Sequence, residues 1–341
     1  MRILVLGGTR FIGAAAVRCL VAAGHEVACY HRGQTNAPLP SSVDHILGDR
    51  ARLSESLEAF RAFGPELLLD QRPLCEADAE EVMALARELG VRRVIAISSM
   101  DVYKAFGVVL RKETWAEGAF RGEIQDEEAP LREVPYPHRG EEPKPPGDPQ
   151  EWTNTYDKIP AEVVFLGDPE LPGTVLRLPM VYGPGDYHRR PKTYTERMFS
   201  GAERIELEES FASWETARGY IDDVGQAIAL AVCDERAAGR TYNVCEETFL
   251  SEEAWVNALG EAAGWRGELV RVAEDALPAD ERPGIECRQH LRLSSADPRR
   301  AGLHREPVLR RANRADRGLG ASAAGRLTPR SSPEDVPAAT Y

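Results

Sequence analysis

The chain has 341 residues, 43% of them hydrophobic, which is enough for one large buried core or two modest ones. Its net charge of −13 repels phosphate backbones, so nucleic acid is not an expected partner without a local basic patch. The six cysteines show no paired or zinc-like spacing, and no stretch offers the roughly 18 uninterrupted apolar residues of a spanning helix. With a start at Met1 that lacks the marks of a secretory signal, these features lead us to expect a cytoplasmic protein with reduced thiols, no metal and no membrane contact.

In chain order, Arg2 to Leu6 is an apolar run ending at glycines, and Phe11 to Ala23 has the helical spacing of Ile12, Ala16, Leu20 and Val21. Further strands are predicted at Glu26 to Tyr30, near Val43 to Leu47, at Glu66 to Leu69 and at Val91 to Ile97, with helices at Arg52 to Phe63 and Asp78 to Leu89. Nearly wholly apolar strands that alternate with helices predict an α/β protein with a parallel, doubly wound sheet covered on both faces. From Glu113 to Asp148, acidic residues and prolines predict a long surface loop or lid. A helix near Thr155 to Leu166, a strand at Thr174 to Leu178 and a helix at Tyr220 to Val232 follow. Residues 1–185, joined by 218–235, are the expected nucleotide-binding unit, and 186–217 with 236–309 a smaller substrate-binding lobe. Residues 310–341, rich in Arg, Ala, Gly, Ser and Pro, have the composition of a disordered tail.

The loop Gly7-Gly8-Thr9-Arg10-Phe11-Ile12-Gly13 lies between the first strand and the first helix, where unpaired N–H groups and the positive helix end meet a pyrophosphate. This is the Rossmann arrangement for a dinucleotide. About 20 residues on, NAD-binding chains carry an acidic residue for the ribose hydroxyls, whereas this chain has His31 and Arg32. Arg10 and Arg32 are cationic candidates for a 2′-phosphate, so NADP is expected ahead of NAD. Asp49, followed by Arg50 just past the third strand, is placed to accept from an adenine amino group.

Four motifs occur in order: the glycine loop, Ser98-Ser99-Met100-Asp101-Val102-Tyr103, the run from Leu176 through Val181-Tyr182-Gly183-Pro184-Gly185-Asp186, and Arg218-Gly219-Tyr220-Ile221-Asp222-Asp223-Val224. Together they resemble the NAD-dependent epimerase/dehydratase family over roughly residues 1 to 275, in a branch that also includes chloroplast stem-loop-binding-like proteins. The resemblance implies that Ser99 hydrogen-bonds the reacting oxygen and that Lys158, with Glu162 four residues later, binds the nicotinamide ribose. It places the proton-carrying tyrosine at position 154, where this chain has Asn154. Tyr156 is two residues away, which on a regular helix turns it by about 200°, so it can substitute only if the helix begins later. Arg72-Pro73 also stands where the family has small residues. The resemblance further implies a homodimer and a phosphate grip by Arg218; beside it, Tyr182 and the cationic run of His188, Arg189, Arg190, Lys192 and Arg197 are candidates to complete an anion-binding lobe through charge-assisted contacts.

Two functions are therefore expected. The first is an NADP(H)-binding oxidoreductase exchanging hydride with a small, anionic or nucleotide-linked substrate. The alternative is a cofactor-binding sensor or RNA-associated regulator that has lost hydride chemistry, a reading that rests on Asn154.

Overall fold

A computed structural model describes residues 1–35, 38–115 and 122–294. The expected tail at 310–341 and the end of the expected lobe lie outside the described residues. The elements are β1 (Arg2–Leu6), α1 (Phe11–Ala22), β2 (Glu26–His31), β3 (Asp44–Leu47), α2 (Leu57–Phe63), β4 (Leu67–Asp70), α3 (Glu76–Leu89), β5 (Arg93–Ser99) and α4 (Lys104–Val109). After a long irregular stretch come α5 (Lys158–Leu166), β6 (Thr174–Leu178), β7 (Met180–Tyr182), α6 (Lys192–Phe199), β8 (Arg204–Glu208) and α7 (Glu209–Ala212). The series ends with β9 (Arg218–Tyr220), α8 (Ile221–Cys233), β10 (Arg240–Asn243), α9 (Glu252–Ala263) and β11 (Glu268–Val272).

Seven strands form one parallel sheet in the order β10-β6-β5-β4-β1-β2-β3, the doubly wound Rossmann arrangement expected from the sequence. Strand alternation explains why both faces are apolar: Ile3 and Val5 enter the core shared with α1 and α8, whereas Leu4 and Leu6 enter the core shared with α3 and α5. Two small parallel pairs, β7 with β9 and β8 with β11, supplement the main sheet.

Three elements differ from expectation. The helix predicted from Arg52 is a 3-10 stretch at Arg50–Ser56 that leads into α2, interrupted by the non-helical backbone of Arg52. The helix predicted from Thr155 starts at Lys158, because Pro160 lacks the N–H that a helix including Tyr156 would need. Asp157 caps it instead, accepting from the Ile159 N–H at 3.3 Å. Finally, the proline-rich segment is more embedded than a surface lid: Gln125 and Arg132 are buried, and Leu131 and Gln125 bridge to Tyr103 and Leu293. Among the described residues no helix is long and apolar enough to cross a membrane.

Candidate active site

Because the seven strands are parallel, β1, β2, β4 and β5 end on one edge of the sheet. The winding reverses between β1 and β4, and ligands of open α/β sheets bind outside this point. Gly7 turns the chain there with φ +91°, and its N–H donates to the Tyr30 carbonyl at 3.0 Å. A Cβ on Gly8 would lie 2.6 Å from Cys29 Sγ, and one on Gly13 would lie 2.6 Å from the Gly7 carbonyl oxygen. The loop therefore packs directly on β2 and α1, with Thr9, Phe11 and Gly13 buried and Ile12 half-buried. Arg10 occupies the cap position of α1 without a side-chain cap bond. The first-turn N–H groups of α1 lack intrahelical acceptors, so this cradle fits a dinucleotide pyrophosphate.

The residues expected at the adenosine end are largely engaged with the protein itself. Gly33 N–H donates to His31 Nδ1 at 3.0 Å, which leaves the proton on Nε2, directed at His45 Nδ1 2.7 Å away. Burial, and then His45, hold the His31 imidazolium below its usual pKa. The Asp49 carboxylate accepts from the Ala51 N–H, and Arg50 forms a two-pronged ion pair with the fully buried Asp70, both bonds at 2.7 Å. Arg32 is exposed. Arg10 lies over the Tyr187 ring, 5.1 Å from its centre, and that ring meets Phe11 edge-on.

At the end of β5 the structure gathers Ser99, Asp101, Tyr156 and Lys158. The Tyr156 hydroxyl donates to Asp101 Oδ2 at 2.6 Å and also interacts with Ser99. Burial, reinforced by the Asp101 charge, raises the Tyr156 phenol well above its ordinary pKa. Burial lowers the Lys158 ammonium to about 8, against the opposing pull of Asp101 and Asp70, and its Nζ donates to the Ile97 carbonyl at 2.9 Å. Burial alone would raise Asp101, but His138, Tyr156 and Arg132 together hold it below the usual carboxylate range. Below this group a buried network ties Ser98 to Glu162 and Glu162 to Arg177.

Asn154 does not face this cluster. Its side chain binds the backbone of Lys144, and its carbonyl accepts from Arg139. The late start of α5 brings Tyr156, rather than position 154, beside Ser99. Neither Asp101 nor His138 was among the candidate residues, although Asp101 lies within the Ser99 motif. His138 packs against Phe106, Trp152 and Tyr156, with Nε2 3.3 Å from Asp101 Oδ2; its position in a proline-rich segment offered no signal.

The remaining substrate candidates are placed as follows. Arg218 is 3% exposed, paired with Glu252 and stacked 4.5 Å from the centre of Trp255, so its charge is already neutralised within the protein. Tyr182 is buried beside it and donates to Glu246 at 3.0 Å. Arg189 is exposed, with φ +55°, and Arg190 pairs with Asp186.

No family model matches the chain. A 3-diazoavenalumate denitrifying reductase from a Streptomyces species is 27% identical over 235 residues, 67% of this chain and 71% of the relative. The 2'-dehydrokanamycin reductase of Streptomyces kanamyceticus is 32% identical over 100 residues, 29% of this chain and 28% of the relative. The 41 kDa chloroplast stem-loop binding protein b of Arabidopsis thaliana is 23% identical over 278 residues, 77% of this chain and 64% of the relative. The chain thus spans less than two thirds of the length of these last two relatives. Among solved structures, the Thermotoga maritima UDP-glucose 4-epimerase with UDP-glucose matches with a TM-score of 0.67 at 16% identity, covering 95% of this chain and 100% of that one. The Thermus thermophilus UDP-glucose 4-epimerase with NAD gives 0.60 at 22% identity, covering 89% and 93%. The Bacillus anthracis dTDP-glucose 4,6-dehydratase with NAD gives 0.65 at 13% identity, covering 95% and 98%.

These structures correct the expectation of NADP to NAD, the dinucleotide held by the Thermus and Bacillus enzymes. The physical ground for NADP also weakens, because one of the two arginines behind it, Arg10, is engaged by Tyr187. The chain has the fold of the NAD-dependent epimerases and dehydratases, the family that its four motifs resemble.

Proposed function

We propose that the chain binds NAD on its glycine loop and acts as an epimerase/dehydratase-type oxidoreductase at a carbinol or carbonyl carbon of a small, sugar-like substrate. The observation that carries this reading is the convergence of the Tyr156 phenol with Ser99 and Lys158 at the end of β5. NAD, when bound, supplies the hydride acceptor or donor. Ser99 hydrogen-bonds the reacting oxygen, Tyr156 exchanges the proton in place of the tyrosine missing at 154, and the Lys158 cation favours the phenolate and orients the cofactor. The 2'-dehydrokanamycin reductase and the nucleotide-sugar enzymes of the same fold support this substrate class, and the 3-diazoavenalumate reductase supports reductive chemistry in general. A homodimer, with Arg189 and Tyr182 on the substrate side, belongs to the same proposal.

The test is NADH binding, followed by nicotinamide fluorescence, together with NADH oxidation by a nucleotide keto-sugar, dTDP-4-keto-6-deoxyglucose. We expect binding and turnover, with Tyr156→Phe lowering turnover by roughly 10² and leaving NADH affinity nearly unchanged. Binding of NADH without turnover of this keto-sugar or of a wider carbonyl panel would sink the enzymatic reading.

A second reading is favoured by the match to the stem-loop binding protein over 77% of this chain: an NAD-binding regulator without hydride chemistry. A gel-shift with stem-loop RNA, with and without NADH, separates the two. The net charge of −13 opposes such binding, so a complex stable at physiological salt would be strong support for it.

A further inference from the structure

We infer that Asp101 and His138 form the route by which protons pass between the Tyr156 hydroxyl and solvent; this rests on the proposed role of Tyr156. A phenol that changes protonation in each turnover needs a path to water, and Tyr156 is only 7% exposed. Lys158 does not provide that path, since its buried Nζ donates to the Ile97 carbonyl. Asp101 is 4% exposed, and one of its oxygens, Oδ2, serves both neighbours: it accepts from Tyr156 Oη at 2.6 Å and lies 3.3 Å from His138 Nε2. The other oxygen, Oδ1, is buried without a hydrogen-bond partner among the described residues. Here the donors converge on one atom, which suits transfer through that atom. The His138 side chain is 24% exposed, so the chain of contacts ends at solvent.

In the reductive direction a bound NADH would supply hydride to the carbonyl carbon; as the carbonyl π pair moves to oxygen, that oxygen takes the Tyr156 proton. Asp101 Oδ2 hands a proton to Tyr156 Oη and receives one from the His138 imidazolium. Neutral imidazole is then recharged from solvent, so the carbonyl is reduced, NADH is oxidised and one proton is consumed. Oxidation runs the same steps backwards. Asp101 and His138 act through Tyr156 and are positioning residues in this scheme. The charged groups near Asp101 are Arg132 and Lys158, and near His138 lies His188, whose imidazolium burial lowers to about 4, so that it stands neutral.

The test has two arms on the full chain. In the first, NMR of ¹⁵N-histidine-labelled protein follows the His138 ring through its titration in wild type, Asp101→Asn and Tyr156→Phe. We expect the midpoint to fall by about half a pH unit or more when the carboxylate is removed, and to rise when the phenol no longer shares Oδ2. A midpoint equal in all three proteins overturns the inference. In the second arm, NADH oxidation by dTDP-4-keto-6-deoxyglucose is compared in wild type and His138→Gly, with folding checked by melting temperature and NADH affinity. We expect a loss of about tenfold or more, partly restored by imidazole in the buffer. A variant as fast as wild type, or a loss that imidazole does not relieve, overturns it. If wild type itself does not reduce the keto-sugar, the proposed function fails for that substrate, and the NMR arm still decides whether the three groups are coupled.

Discussion

Asn154 clasps the backbone of Lys144 from both sides: its Oδ1 accepts from the Lys144 N–H and its Nδ2 donates to the Lys144 carbonyl, each at 2.8 Å. A tyrosine at 154 would have neither bond to offer, and its ring would start outside the Ser99 cluster. We therefore predict that Asn154→Tyr adds no NADH-dependent turnover and lowers unfolding free energy by about 1 to 3 kcal/mol, read from urea denaturation. A gain in turnover would mean that the segment before α5 can re-register.

At the glycine loop, the 2.6 Å separation between a Cβ on Gly13 and the Gly7 carbonyl oxygen involves backbone on both sides. Gly13→Ala should force α1 away from the loop, weakening NADH by roughly tenfold or more and costing about 1 to 3 kcal/mol of stability. Fluorescence titration and thermal melting would measure these effects, and unchanged NADH affinity would remove the loop from the cofactor site.

Arg218 offers a sharp contrast between structural and substrate-binding roles. Its guanidinium is held by Glu252, itself 4% exposed, and by the Leu250 carbonyl at 3.0 Å. Removing one partner of a buried pair leaves the other charge uncompensated, so Arg218→Ala should destabilise the fold by about 3 to 5 kcal/mol. A variant of wild-type stability with a raised KM would instead restore the phosphate grip implied by the family resemblance.

Lys158 gives a pH signature. Its folded pKa of about 8 lies below its ordinary 10.5, so the unfolded chain binds the extra proton between these values, and this group's contribution to stability grows as pH rises across that window. Cofactor binding should respond oppositely: if the ammonium holds the nicotinamide ribose, NADH affinity falls as pH rises through about 8. Lys158→Arg, which stays charged, should flatten that dependence. Affinity measured on both sides of pH 8 decides it, and an equal alkaline decline in the arginine variant would assign the titration elsewhere.

Six of the seven strands were legible because parallel strands announce themselves as short apolar runs, and the glycine loop because close backbone approach admits few other residues; β10, polar and only partly buried, lies within the residues expected to form the lobe, yet pairs with β6 in the main sheet. The site was only half legible. Ser99 and Lys158 were identified through their motifs, but the choice between Asn154 and Tyr156 depended on where α5 begins, and Pro160 sets that start. His138 lies 37 residues from Asp101, in a stretch whose prolines suggest only irregular chain. Arg218 was recognised as a charged residue in a motif, yet its partner Glu252 comes from a helix 34 residues later, and no local spacing reveals that pairing.

The Arg132 guanidinium, 1% exposed, meets the Asp157 carboxylate at 2.9 Å, and Asp157 also accepts from the Tyr136 N–H. Since Asp157 caps α5 and directly follows Tyr156, the proline-rich segment and the start of that helix are one mechanical unit. An engineer who transplants this segment into another protein of the same fold must carry Asp157 along with Arg132. Exchanging the segment alone would bury an arginine without its carboxylate and release the backbone that aims the phenol.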